Sequence, residues 1–147
     1  MKKYILLDFD GVMVKNQPWK KIDLLDDGFY KFDDLAVENL KRIIKETLCD
    51  IIITSSHKVR FTDSEWSEVF KRRGIIATIK KVDEKINRKV EIIDWVNENT
   101  SSIYIIIDDD KTLNDLPSNI KDKFVLIESG VGLTKEKTDI IIEKLNR

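Results

Sequence analysis

The sequence holds one cysteine, one histidine, two prolines and five glycines in 147 residues. A single cysteine, Cys49, cannot close an internal disulfide, so the chain is no disulfide scaffold. The lone histidine, His57, leaves too few imidazole and thiolate ligands for a zinc site. No apolar run nears the roughly 18 residues of a membrane span, which excludes a transmembrane helix. An excess of one charge is missing too. The 26 Lys and Arg nearly cancel the 27 Asp and Glu, for a net charge of −1, so no overall basic field points to nucleic acid. Repeats and low-complexity tracts are absent, and 41% hydrophobic with 36% charged residues excludes a disordered chain. The first apolar stretch, YILL, is too short for a signal segment and is broken by Asp8. A single domain over residues 1–147, in the cytoplasm and off the membrane, is the expectation.

What the chain does have is alternation. Short runs rich in Ile and Val (Tyr4 to Leu7, DIIITSSH at 50–57, IIATI at 75–79, SIYIIIDDD at 102–110 and KFVLIE at 123–128) alternate with helical patterns. The helices are expected over Phe32 to Thr47 with Asp33 or Asp34 as N-cap, over TDSEWSEVFKRRG with a Thr62–Glu65 capping box and Gly74 as stop, over NRKVEIIDWVNEN with Val90, Ile93, Trp95 and Val96 inward, and over the last stretch behind Thr134. Continuous apolar strands separated by helices predict a three-layer, Rossmann-like α/β domain with a central parallel sheet of about five strands. One stretch, Met13 to Tyr30, fits no element. It is expected as a flap over residues 13–32, too short for a separate cap domain. Trp66 and Trp95 are expected in the core, and Trp19, within the flap, in an ordinary hydrophobic contact.

Polar residues gather where strands run out. Asp8 and Asp10 follow the first, Thr54, Ser55 and Ser56 the second, and Asp108, Asp109 and Asp110 the fourth. In a doubly wound sheet ligands bind beyond the carboxyl ends of the strands, so a central first strand flanked by the second and fourth brings these clusters together. Crowded carboxylates repel each other unless a cation sits among them, and hard oxygen ligands point to Mg²⁺. A glycine after the pair, Gly11, allows a tight turn beneath the site. No G-x-x-x-x-G-K-[ST] is present, which leaves P-loop chemistry without support. A phospho-receiver would need a carboxylate at the end of the third strand, where the chain reads IATIKK.

LLDFDGVMV resembles the first motif of the haloacid dehalogenase-like hydrolases, an apolar strand followed by D-x-D-G-x. IIITSS resembles the second motif, INRKVEIIDWV the basic third and YIIIDDD the acidic fourth, in the family's order. FDDLAVENLKRI, IIITSSHK, RKVEIIDWV, YIIIDDD and SGVGLTKE are similar to the small capless branch found as phosphatase modules in RNA-repair-type proteins. That branch typically carries S-S-x-W-R after its second strand, where this chain reads Ser55-Ser56-His57-Lys58 with Arg60 beyond.

The resemblance implies a Mg²⁺-dependent phosphatase acting on a phosphorylated substrate, a nucleotide or a nucleic-acid end. Asp8 would be the nucleophile and Asp10 the acid and base. Thr54 would bind a phosphoryl oxygen with Ser55 as helper, while His57 and Lys58 would touch substrate. Arg88 would neutralise the phosphate, with Lys85 and Lys89 as rivals for that role. Asp8, the main-chain carbonyl of Asp10, and Asp108 or Asp109 would hold the metal, the register within the three aspartates being open. The alternative is a non-catalytic phosphate-binding module of the same fold.

Overall fold

The structure, a computed structural model, describes residues 1–147. The apolar runs form five strands, β1 (Lys3–Leu7), β2 (Asp50–Ile53), β3 (Ile79–Lys81), β4 (Ile103–Asp108) and β5 (Phe124–Leu126). They make one all-parallel sheet in the order β3-β2-β1-β4-β5. Five helices connect and cover it: α1 (Asp34–Thr47), α2 (Asp63–Arg72), α3 (Arg88–Glu98), α4 (Ser118–Lys121) and α5 (Lys135–Leu145). This is a three-layer, Rossmann-like α/β domain without a separate cap domain.

Strand parity sorts the core. Ile5, Leu7, Ile51, Ile53, Ile105 and Ile107 turn to one face, where they pack with Leu40 and Ile43 of α1, Trp66 and Phe70 of α2, and Ile141 and Leu145 of α5. Leu6, Ile52 and Ile106 turn to the other, against Ile92 and Val96 of α3 and Ile120 of α4. Each such side chain, fully buried, contributes about 1.5–3 kcal/mol. That is how strands as short as three residues are held on the sheet. Trp66 is fully buried, its indole N–H donating to the Lys58 carbonyl at 3.0 Å. Trp95 is partly covered and meets Tyr4 and Tyr104 edge-on.

Several boundaries differ from expectation. The third strand begins at Ile79 rather than Ile75, because Ile75 is drawn into the core behind α2 while Ile76 turns out to solvent. The face of α3 turned inward carries Glu91, Ile92 and Val96. Asp33 precedes α1 without capping it, since its carboxylate accepts from the Lys15 backbone N–H at 3.0 Å instead. The capping box at Thr62–Glu65 starts α2 as predicted, Gly74 follows the helix at φ 79°, and Thr134 caps the N-terminus of α5.

Residues 13–32 are joined to the core at both ends. Met13, Val14, Phe29 and Phe32 are buried, and Leu24 bridges Tyr30 to form a small hairpin. Arg73 fastens it by donating to both oxygens of Asp27 and to the carbonyls of Phe29 and Tyr30. Trp19 makes no hydrophobic contact of the expected kind. It lies ahead of the hairpin and stands 81% exposed, while Phe29 supplies the buried aromatic ring of this stretch.

Candidate active site

The register that pairs Leu7 with both Ile53 and Ile107 puts the next residues, Asp8, Thr54 and Asp108, side by side at the carboxyl edge. Backbone hydrogen bonds continue the sheet through them, from Asp8 N–H to the Ile107 carbonyl and from Thr54 N–H to the Leu7 carbonyl. All three continue the parity of Leu6, Ile52 and Ile106, the face covered by α3. The first residue of α3 is Arg88, positioned where a helix N-terminus favours anions.

Arg88 spans the two buried carboxylates. Its Nη1 donates to both oxygens of Asp108 at 3.0 and 3.1 Å, and its Nη2 lies 3.5 Å from Asp8 Oδ1, close enough for an ion pair but outside hydrogen-bond geometry. The rival lysines face elsewhere, Lys85 toward Asp94 and Lys89 toward Asp115, at 3.8 and 3.9 Å. Within the acidic triplet, the Asp110 carboxylate caps the following 3-10 turn (Lys111–Asp115) by accepting from Thr112. Asp108 and Asp109 face Asp8, and one carboxylate oxygen from each of the three lies within 4.8 Å of the others.

Gly11 permits this approach. At φ 80° it occupies the left-handed region, and a Cβ there would overlap the Asp109 carboxylate and press on Ser129. Burial and crowding together shift the balance of these carboxylates toward the neutral form. Burial, reinforced by the charge on Asp108 and opposed by Arg88, pushes Asp8 up to about 9. Burial also lifts Asp108 to about 6, with Arg88 opposing. Arg88 is held above its ordinary value. Burial works against its charge, but Asp108 and Asp8 outweigh burial.

Two polar atoms at this edge are buried and without a hydrogen-bond partner, Asp8 Oδ1 and Thr54 Oγ1. Orphaned groups of this kind are rare in folded proteins, and here they occur beside a cluster of like charges. The residues fit a Mg²⁺ ion: three hard carboxylate donors within reach of one another, with no thiolate or imidazole among them. Above them opens a cleft of about 790 Å³, lined among others by Asp8, Asp10, Thr54, Asn87, Arg88 and Asp109.

The remaining predicted residues lie around this centre in distinct ways. The Asp10 carboxylate is outside the trio and faces His57, whose Nε2 is 3.0 Å from Oδ2. Ser55 is fully buried, and its Oγ accepts from the His57 backbone N–H. Lys58 is buried on the cleft wall in an ion pair with Glu91 at 3.0 Å, and Glu91 also accepts from the Lys85 backbone N–H. Glu91 escapes a sequence reading. It lies in a helix otherwise read by its apolar face, and its signal is a carboxylate on that inward face.

Fold and site together define an α/β domain with a buried acidic cluster at the carboxyl edge of a parallel sheet. The chain belongs to the family described as the HAD domain in Swiss Army Knife RNA repair proteins, which it matches over residues 4–138. HAD denotes the haloacid dehalogenase-like fold, a phosphatase-type hydrolase family whose members typically use Mg²⁺. No curated protein and no solved structure matches the chain.

Proposed function

We propose that the protein is a Mg²⁺-dependent phosphomonoesterase that works through an aspartyl-phosphate on Asp8. The observation that carries this reading is the pair of buried atoms without hydrogen-bond partners, Asp8 Oδ1 and Thr54 Oγ1, beside Arg88 in the cleft. Together they supply an attacking oxygen, a hydroxyl donor and a guanidinium for one tetrahedral anion.

In the proposed reaction an oxygen of Asp8 attacks phosphorus while the bond to the leaving oxygen breaks. Asp10 gives that oxygen its proton. Asp10 then takes a proton from water as the water attacks phosphorus, the bond to Asp8 breaks, and phosphate is released. Thr54 and Arg88 hold the phosphoryl oxygens in both steps. Mg²⁺ held by Asp8, Asp108 or Asp109, and the Asp10 carbonyl would offset the burial and the neighbouring carboxylate charge that hold the Asp8 carboxyl above its ordinary range.

A nucleic-acid terminal phosphate or a nucleotide is the proposed substrate class. The uncapped cleft, the exposed Lys85 and Lys111 at its rim, and the family's description as a domain of RNA repair proteins support that choice. The test is p-nitrophenyl phosphate hydrolysis with and without Mg²⁺, by wild type and Asp8→Asn, followed by 3′- and 5′-phosphorylated oligoribonucleotides and mononucleotides. Metal-dependent release of phosphate, lost in the variant, is the expected result. If no phosphoester is cleaved yet beryllofluoride with Mg²⁺ is bound, the protein is a phosphate-binding module instead.

A further inference from the structure

The carboxylate assigned to proton transfer has a neighbour of its own. Asp10 lies beyond the end of β1 with its side chain about half exposed, so little in its own turn selects one rotamer. His57 does. Its Nε2 lies 3.0 Å from Asp10 Oδ2, and its ring packs edge-on against two aromatic rings that stack on each other, Phe29 at 5.5 Å and Tyr30 at 5.1 Å. The mount beneath is rigid. The His57 backbone N–H donates to the buried Ser55 Oγ, Phe29 packs on Phe9 and Trp66, and Arg73 holds the Phe29 and Tyr30 carbonyls. Tyr30 senses the same carboxylate: burial first, then the Asp10 charge, keeps its hydroxyl above the ordinary value.

We propose that His57 is a positioning residue for Asp10 rather than a substrate contact, and that its Nε2–H donates to Oδ2. This rests on the phosphatase reading above. The hydrogen bond occupies one carboxyl oxygen and leaves Oδ1 as the oxygen that exchanges the proton. Oδ1–H gives its proton to the leaving oxygen as the P–O bond breaks. The same Oδ1 takes a proton from the water that later displaces Asp8. Through His57 the hairpin of residues 24–30 becomes part of the acid–base apparatus, which gives its anchoring by Arg73 a purpose beyond packing.

Leaving groups of different basicity test the proposal. A p-nitrophenolate departs with little protonation, whereas the alkoxide of glycerol 2-phosphate needs a proton as it departs. A well-placed general acid contributes about 10²–10⁴-fold. His57→Ala should therefore lower kcat/KM on glycerol 2-phosphate at least about tenfold more than on p-nitrophenyl phosphate. Inhibition by orthophosphate should be unchanged. His57→Gln, which keeps an N–H donor at similar reach, should recover most of the loss, and thermal melting would confirm that both variants fold. Equal losses on the two substrates, or weaker orthophosphate inhibition alone, would overturn the positioning role in favour of a structural or substrate-contact one. Absence of any phosphate release by wild type would instead overturn the phosphatase reading, and the role of His57 with it.

Discussion

Two arginines, Arg73 and Arg88, are both withdrawn from solvent, both paired with aspartate, and opposite in what surrounds them. Arg73, with 2% of its side chain exposed, donates to both oxygens of Asp27 and to the carbonyls of Tyr30, Val69 and Phe29, while its guanidinium lies over the Phe29 and Phe32 rings. One positive charge meets one negative charge, and the donors are occupied. Arg88 meets two buried carboxylates with a third beside them, and an oxygen of Asp8 and the hydroxyl of Thr54 stay without hydrogen-bond partners. The first arrangement is complete and holds the fold. The second has an excess of negative charge and two buried polar atoms without hydrogen bonds, which suits the cation and phosphoryl group of the proposed reaction. Charge balance and hydrogen-bond completion, rather than burial, separate a structural ion pair from a ligand site here.

The largest effect that sharpens this contrast is expected from Asp8→Asn. It should remove Mg²⁺-dependent phosphatase activity by at least about 10³-fold. The thermal midpoint should stay level or rise, since one of the crowded carboxylates is gone. Release assays and calorimetry on the same preparation check both halves, and a large loss of stability would break the comparison. Arg73→Met should do the reverse in kind. It removes the guanidinium that serves Asp27 and the Tyr30, Val69 and Phe29 carbonyls, leaving the partly buried Asp27 charge without a cation, and should cost about 3–5 kcal/mol in denaturant unfolding. Any activity lost should return on conditions that restore the fold.

A smaller effect is expected from Gly11→Ala. The added methyl displaces Asp109 and strains a positive-φ turn. The Mg²⁺ concentration for half-maximal activity should rise about tenfold or more, by the measure of comparable changes next to metal ligands. The smallest is a slope against pH. Asp8 and Asp108 are raised from the ordinary 3.8 to about 9 and about 6, so the folded state binds more protons than the unfolded one between these values. Their contribution to stability is complete below about pH 4 and is lost as pH rises through 6 and then 9. Without metal, the melting temperature should fall from pH 5 to pH 9.5. Mg²⁺ should restore more of it at the alkaline end, and Asp8→Asn should flatten the slope. The Arg73–Asp27 pair should leave no such alkaline slope, since Asp27 is held below its ordinary value, first by its hydrogen bond from Arg73.

Much of this molecule is written locally. Ile and Val runs spaced by amphipathic stretches determine a parallel sheet covered on both faces, because backbone pairing and apolar burial leave few other arrangements. Thr62 to Glu65 specifies a helix start through its own side chains, and the polar residues ending β1, β2 and β4 mark one edge as the site. What these patterns leave open depends on where side chains point after the sheet is assembled. The start of β3 moved to Ile79 because Ile75 found a place in the core. Selection of Arg88 over Lys85 and Lys89 followed from the position of the α3 N-terminus above the strand ends, and Asp110 became a cap because the chain turns there. The pairing of His57 with Asp10 spans 47 residues of sequence and needs the hairpin's aromatic wall to hold it. Local propensity and periodicity are properties of the chain. The meeting of charges from distant segments belongs to the packed fold, where register, parity and the exclusion of water decide which of several equivalent residues faces the site.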